Sequence, residues 1–128
     1  MRLEHVAFQT ADPVATAAWY EKNLGMKTIR KLETGARMHF LLDDAARTII
    51  EVYNNPAAEV PEHAKRHPLL FHLAFETADL ASDRARLLAA GATAEGEIDT
   101  TPAGDRLCFL RDPWGVALQL CQRANRMP

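Results

Sequence analysis

Leu3-Glu4-His5-Val6-Ala7-Phe8-Gln9-Thr10-Ala11-Asp12 and Leu70-Phe71-His72-Leu73-Ala74-Phe75-Glu76-Thr77-Ala78-Asp79 lie over one another without a gap, at a constant offset of 67 residues. The His, the Ala, the Phe, the Thr-Ala pair and the Asp recur in place. Self-similarity at a fixed spacing marks a duplicated structural unit. Each copy is followed by a stretch with helical character that reaches a glycine, Gly25 in the first and Gly91 in the second, where a left-handed helix stop is expected. Asp12 and Asp79 are the matching N-cap residues, and Pro13 suits a first helical position. Trp19, Tyr20 and Leu24 supply an apolar stripe for the first helix, and Leu80, Leu87 and Leu88 one for the second.

The repeat continues beyond the helices. Arg37-Met38-His39-Phe40-Leu41 resembles Arg106-Leu107-Cys108-Phe109-Leu110 at an offset of 69, and an Asp follows each run, Asp43 and Asp112. These read as central hairpin strands. Thr48–Tyr53 and Val116–Cys121 are dense in strand formers, and the second follows the turn signal Asp112-Pro113-Trp114-Gly115. The expected fold is therefore α+β: two tandem βαβββ modules forming a cupped mixed sheet. Residues 1–128 read as one domain, with module 1 at 1–55, a connection at 54–68 carrying three prolines, and module 2 at 69–123.

Composition narrows the function. A chain of 128 residues, 48% hydrophobic and 25% charged, is large enough to bury its own core without a disulfide framework. Its net charge of -2 leaves no cationic surplus for nucleic acid, and no run of apolar residues is long enough for a membrane span. Two cysteines without C-x-x-C spacing offer neither a zinc knuckle nor a redox pair, which suits a reducing cytoplasm. No secretion signal is visible, so a cytoplasmic location is expected.

Strand alternation then sorts side chains into faces. Val6 and Phe8 oppose Leu3, His5, Ala7 and Gln9. Phe71, Leu73 and Phe75 oppose His72, Ala74 and Glu76. Ile50 and Val52 oppose Ile49, Glu51 and Tyr53, while Leu118 and Leu120 oppose Ala117, Gln119 and Cys121. One face is a helix-packing core. The other carries His5, Glu51, His72 and Gln119, and polar residues recurring in one slot of a repeated strand need a partner. A divalent metal such as Zn, Ni, Fe or Mn supplies one, since imidazoles and a carboxylate are good ligands for all four. The competing reading makes each His an ordinary hydrogen-bonded histidine beneath a loop, Glu51 half of an ion pair, and Gln119 a hydrogen-bond partner to a ligand. Arg37, His39, Tyr53, Arg106 and Cys108 are expected to line the same cup and to contact a small-molecule substrate, or else to sit on its rim in solvated pairs.

With these residues in view, the chain resembles the vicinal oxygen chelate superfamily, which includes glyoxalase I, methylmalonyl-CoA epimerase, extradiol dioxygenases and bleomycin- or fosfomycin-resistance proteins. Leu3-Glu4-His5-Val6, the helix closing on Trp19-Tyr20-Glu21-Lys22-Asn23-Leu24-Gly25, and Asp112-Pro113-Trp114-Gly115 carry the likeness. The resemblance implies a metal held in the cup by His5, Glu51, His72 and position 119, a substrate that chelates it through two neighbouring oxygens, and a homodimer. Glyoxalase I typically has a carboxylate in the last slot, where Gln119 stands here. One carboxylate leaves a divalent site with formal charge +1, which favours an anionic ligand or an enediolate-like intermediate, and Glu51 becomes the remaining ligand-slot base. The leading expectation is a metal-dependent lyase or isomerase of glyoxalase type. An Fe(II) extradiol-type dioxygenase and a metal-free antibiotic-binding resistance protein are the alternatives.

Overall fold

In the computed structural model, which describes residues 1–128, the chain divides into two compact units, Met1–Pro61 and Glu62–Pro128. The first holds β1 (Val6–Gln9), α1 (Pro13–Leu24), β2 (Lys27–Lys31), β3 (His39–Leu42) and β4 (Ile49–Tyr53). The second holds a single 3-10 turn (His63–Lys65), then β5 (Leu73–Glu76), α2 (Leu80–Ala89), β6 (Thr93–Thr100), β7 (Arg106–Arg111) and β8 (Ala117–Gln122). Each unit is a four-stranded mixed sheet, in the order β1-β4-β3-β2 and β5-β8-β7-β6. The strand that opens each unit pairs in parallel with the strand that closes it; the other pairings are antiparallel. The expected βαβββ module is present twice. The connection is longer than the 54–68 span, because the first strand of the second unit begins only at Leu73.

The duplicated Thr-Ala-Asp run folds the same way in both units, because its side chains meet the same backbone groups. Thr10 N–H donates to Tyr53 O and Thr77 N–H to Cys121 O, each at 2.9 Å, so the opening strand is stitched to the end of the closing one. Asp12 and Asp79 then cap the helices: each Oδ1 accepts the backbone N–H three residues on, Ala15 and Ser82, at 3.1 Å. That bond satisfies one of the otherwise orphaned first-turn donors. Asp43 and Asp112 are equally matched, with Oδ1 accepting two backbone N–H groups of the turn before the last strand.

Helix ends also obey the sequence. At the end of α2, Ala92 N–H donates to Leu87 O and Gly91 N–H to Leu88 O, a double closure that needs a left-handed residue, and Gly91 has φ +105°. Gly25 closes α1 with φ +68°. The buried stripe of α1 differs from the expected one. Pro13, Thr16, Ala17, Tyr20 and Asn23 face the sheet, whereas Trp19 and Leu24 are half-exposed. The true stripe includes small and polar residues that hydropathy passes over: Thr16 Oγ1 is satisfied by Asp12 O at 2.7 Å and Asn23 Nδ2 by Trp19 O at 3.0 Å. In α2, Leu80 and Leu87 are fully buried and Leu88 is half-buried.

Each core lies between helix and sheet. Phe8, Leu41, Ile50 and Val52 fill it in the first unit, and Cys108, Leu110, Leu118 and Leu120 in the second. No helix is long and apolar enough to cross a membrane.

Candidate metal and substrate site

The sheet face away from each helix carries the repeated chemistry. In the first unit, register places Glu51 between Ala7 on β1 and Phe40 on β3. His5, at the mouth of β1, stands edge-on to the Phe40 ring, with centroids 5.3 Å apart and planes at 89°. In the second, Gln119 lies between Ala74 on β5 and Phe109 on β7, and His72 stands edge-on to Phe109 at 5.2 Å and 87°. The small residue leaves room beside the polar slot, and the phenyl ring braces the imidazole. Phe40 and Phe109, the rings beside these histidines, were not singled out in the sequence. Their signal was present, since they occupy the same place in the Arg37–Leu41 and Arg106–Leu110 repeats.

In both histidines Nδ1 is committed. His72 Nδ1 lies 3.0 Å from Pro68 O. A carbonyl has no proton to give, so Nδ1 carries the hydrogen, and in the neutral ring Nε2 is the atom with the lone pair. His5 Nδ1 is held by the Glu4 carboxylate. Its Nε2 is 3.3 Å from Glu51 Oε2, with side chains 32% and 15% exposed respectively. The hydrogen bond to Glu4, aided by the charges of Glu4 and Glu51, raises the pKa of His5 against the opposing effect of desolvation.

The donor chemistry fits a divalent metal. A lone pair on Nε2 and a carboxylate oxygen repel at 3.3 Å unless a proton or a cation lies between them. Bonds of about 2.0–2.1 Å to one shared ion bring two ligand atoms to about 3.0–3.4 Å of each other. Anchoring of Nδ1 by a carboxylate or a carbonyl is the usual outer-shell support of a metal-bound histidine. His5 and Glu51 are brought together within the first unit, while His72 and Gln119 belong to the second. The structure gathers no group of three or more His, Cys, Asp or Glu side chains that could hold a metal ion. Gln119 Oε1 accepts from the Cys121 thiol at 3.4 Å, and burial pushes that thiol's pKa up, so it remains a weak S–H donor.

Of the five expected substrate contacts, Tyr53 stays on the Glu51 face by alternation. The other four do not. His39 stands opposite Val52 and shares the helix side with Leu41; it is 5% exposed, and Nδ1 donates to Arg37 O at 2.9 Å. Cys108 stands opposite Leu120 in the second core, 3% exposed, its pKa raised by burial. Arg106 reaches Gln122 Oε1, the atom that also accepts Leu80 N–H at the start of α2. Arg37, with φ +48°, has Nη1 3.9 Å from the α1 cap Asp12. These residues were expected on the strand faces that line the cup. Strand pleat assigns that side to the intervening Phe40 and Phe109 instead.

Gln9, at the far end of β1 on the same face as His5, is not free to bind. Its Nε2 donates to Ala58 O at 2.7 Å and its Oε1 accepts Asn55 N–H, which pins the 55–59 loop.

A duplicated βαβββ sheet with this polar face defines a class, and the chain belongs to the Glyoxalase/Bleomycin resistance protein/Dioxygenase superfamily, whose profile matches residues 2–120. Among individual proteins it is similar to YwbC of Bacillus subtilis (strain 168), 29% identical over 127 residues that span 95% of this chain and 98% of that one. A glyoxalase family protein from Bacillus cereus superposes with a TM-score of 0.81 at 16% identity, covering 98% of this chain and 95% of that one. A Glu-to-Gln mutant of glyoxalase I from Zea mays gives 0.75 at 22% identity, with 97% of this chain against 46% of that longer one. FosX, a fosfomycin resistance protein of Listeria monocytogenes, gives 0.72 at 15%, with full coverage of this chain and 95% of that one.

Proposed function

We propose that this chain is a small metal-dependent enzyme of the glyoxalase type, acting on a small molecule that offers two neighbouring oxygens. The observation that carries the reading is the approach of His5 Nε2 to Glu51 Oε2 at 3.3 Å on the sheet face away from α1. His5, Glu51 and His72 are the proposed ligands, with the Gln119 amide oxygen as a neutral fourth. When bound, a divalent ion would supply Lewis-acid stabilisation of negative charge developing on the substrate oxygens. The chain's own residues do the rest. His5 and His72 hold their rings in one tautomer through Glu4 and Pro68 O. Phe40 and Phe109 brace those rings edge-on. Glu51, the one carboxylate of the proposed set, is also the proposed base for a substrate proton and would have to leave its ligand position to act, and Tyr53 is the proposed further substrate contact. With one carboxylate in the set the site keeps a net positive charge, which selects an anionic ligand. A homodimer, common in the family, accompanies this reading.

The test is metal content of the purified protein by mass spectrometry, set against His5→Ala and Glu51→Ala. Near-stoichiometric metal in the parent, lost in both variants that still fold, is the expected result. A parent that stays metal-free after incubation with Zn²⁺, Ni²⁺, Mn²⁺ or anaerobic Fe²⁺ overturns the proposal and leaves a ligand-binding protein in its place.

A further inference from the structure

Arg111, at the end of β7, is a charged residue only 8% exposed. All three nitrogens of its guanidinium are engaged. Nε donates to Glu95 Oε2 at 2.6 Å, Nη1 to His63 O and Gly115 O at 3.0 Å each, and Nη2 to Arg66 O at 2.8 Å. One planar fork thus ties the His63–Arg66 segment to the turn that follows β7. The other side of the joint is equally tight. A Cβ on Gly115, whose φ is +87°, would come within 2.6 Å of Ala64 N, so the segment lies directly against glycine backbone.

What this strap leads to is His72. The chain passes from Arg66 into a turn closed by Leu70 N–H on His67 O at 2.9 Å, and Pro68, buried in that turn, presents the carbonyl that accepts His72 Nδ1–H. His5 has no such support: at an offset of 67 the place of Pro68 falls on Met1, and its ring is held instead by Glu4, a side chain 67% exposed. The two copies of the imidazole are anchored by different means, and the second depends on an internal strap.

We propose that Arg111 is a positioning residue that fixes the tautomer and orientation of His72 through the His63–Pro68 segment. A guanidinium that reaches three carbonyls at once holds the segment at one height above the sheet. Lysine keeps the charge but cannot make the same fork, and the Pro68 carbonyl is then free to drift away from Nδ1.

The measurement is the ring ¹⁵N spectrum of His72, taken without metal on the full chain, for the parent, Arg111→Lys and Gly115→Ala. The second variant lifts the same segment while leaving the Arg111 side chain itself unaltered. The parent is expected to show a single Nδ1–H tautomer, and both variants a mixture of the two tautomers, with helix and sheet content unchanged by circular dichroism and the His5 signals in place. A folded variant of either kind in which His72 keeps the parent spectrum overturns the proposal. The second arm rests on the reading of His72 as a ligand: Zn²⁺ affinity by calorimetry should fall about tenfold in both variants. If the parent binds no metal, the proposed function fails, while the metal-free spectrum still decides the role of Arg111.

Discussion

His5 Nε2 and Glu51 Oε2 meet at 3.3 Å across two parallel strands, and each has a counterpart in the duplicated unit, His72 and Gln119. Both units carry the imidazole and the edge-on phenyl ring, but one has a carboxylate where the other has an amide.

Restoring the symmetry should alter charge selection. Under the proposed ligand set, Gln119→Glu adds a second carboxylate, and a bound divalent ion would be formally neutral. Calorimetry should show tighter Zn²⁺ binding than in the parent and weaker binding of a small carboxylate or phosphonate to the loaded protein. Unchanged anion affinity would argue against Gln119 facing the bound ligand.

Phe40→Leu removes the edge-on ring from His5 but keeps an apolar side chain of similar reach. Loss of an aromatic pair costs about 0.5–1.5 kcal/mol beyond area burial. Urea denaturation should find the variant less stable by about that amount, and metal affinity should fall as the His5 ring gains freedom.

His39 answers to a different test. Its ring is buried on the helix side and its Nδ1–H satisfies Arg37 O. Truncation in His39→Ala strands that carbonyl, at a cost of about 1–3 kcal/mol. Thermal denaturation should register the loss, and metal content should remain that of the parent.

Acid sensitivity should centre in part on Asp83. The Thr77 hydroxyl, donating at 2.5 Å, and then Arg86 hold its carboxyl below the ordinary value of 3.8. A depressed folded pKa contributes stability that is present above the unfolded value and lost as pH falls through the folded one. Asp83→Asn should therefore be less stable than the parent near neutrality, and the gap in melting temperature should close below pH 3.8. A constant gap across the whole acid range would place its cause elsewhere.

Most of the fold was legible because the signals were local and came twice. Asp12 and Asp79, Gly25 and Gly91, and Asp43 and Asp112 each act on backbone groups within a few residues, and their spacing in sequence is their spacing in space. The faces of Glu51 and Gln119 were legible for a related reason: alternation along β4 and β8 sets Glu51 beside Ala7 and Gln119 beside Ala74. The β3 and β7 motifs were misread because Arg, His and Cys attract attention as chemistry, whereas the pleat turns Phe40 and Phe109 to the site and sends His39 and Cys108 into the core.

By itself the sequence determined the duplicated βαβββ architecture, the helix caps, and the faces of the strands, since all three depend on periodicity and on short-range hydrogen bonding. Tertiary structure decided what those faces meet. Carbonyls have no identity in a sequence, so nothing in it marks Pro68 O as the anchor of His72 or gathers His63 O, Arg66 O and Gly115 O around Arg111. Such contacts arise only when segments distant along the chain are packed to within a hydrogen bond of each other, because a buried donor must find an acceptor wherever the fold has placed one.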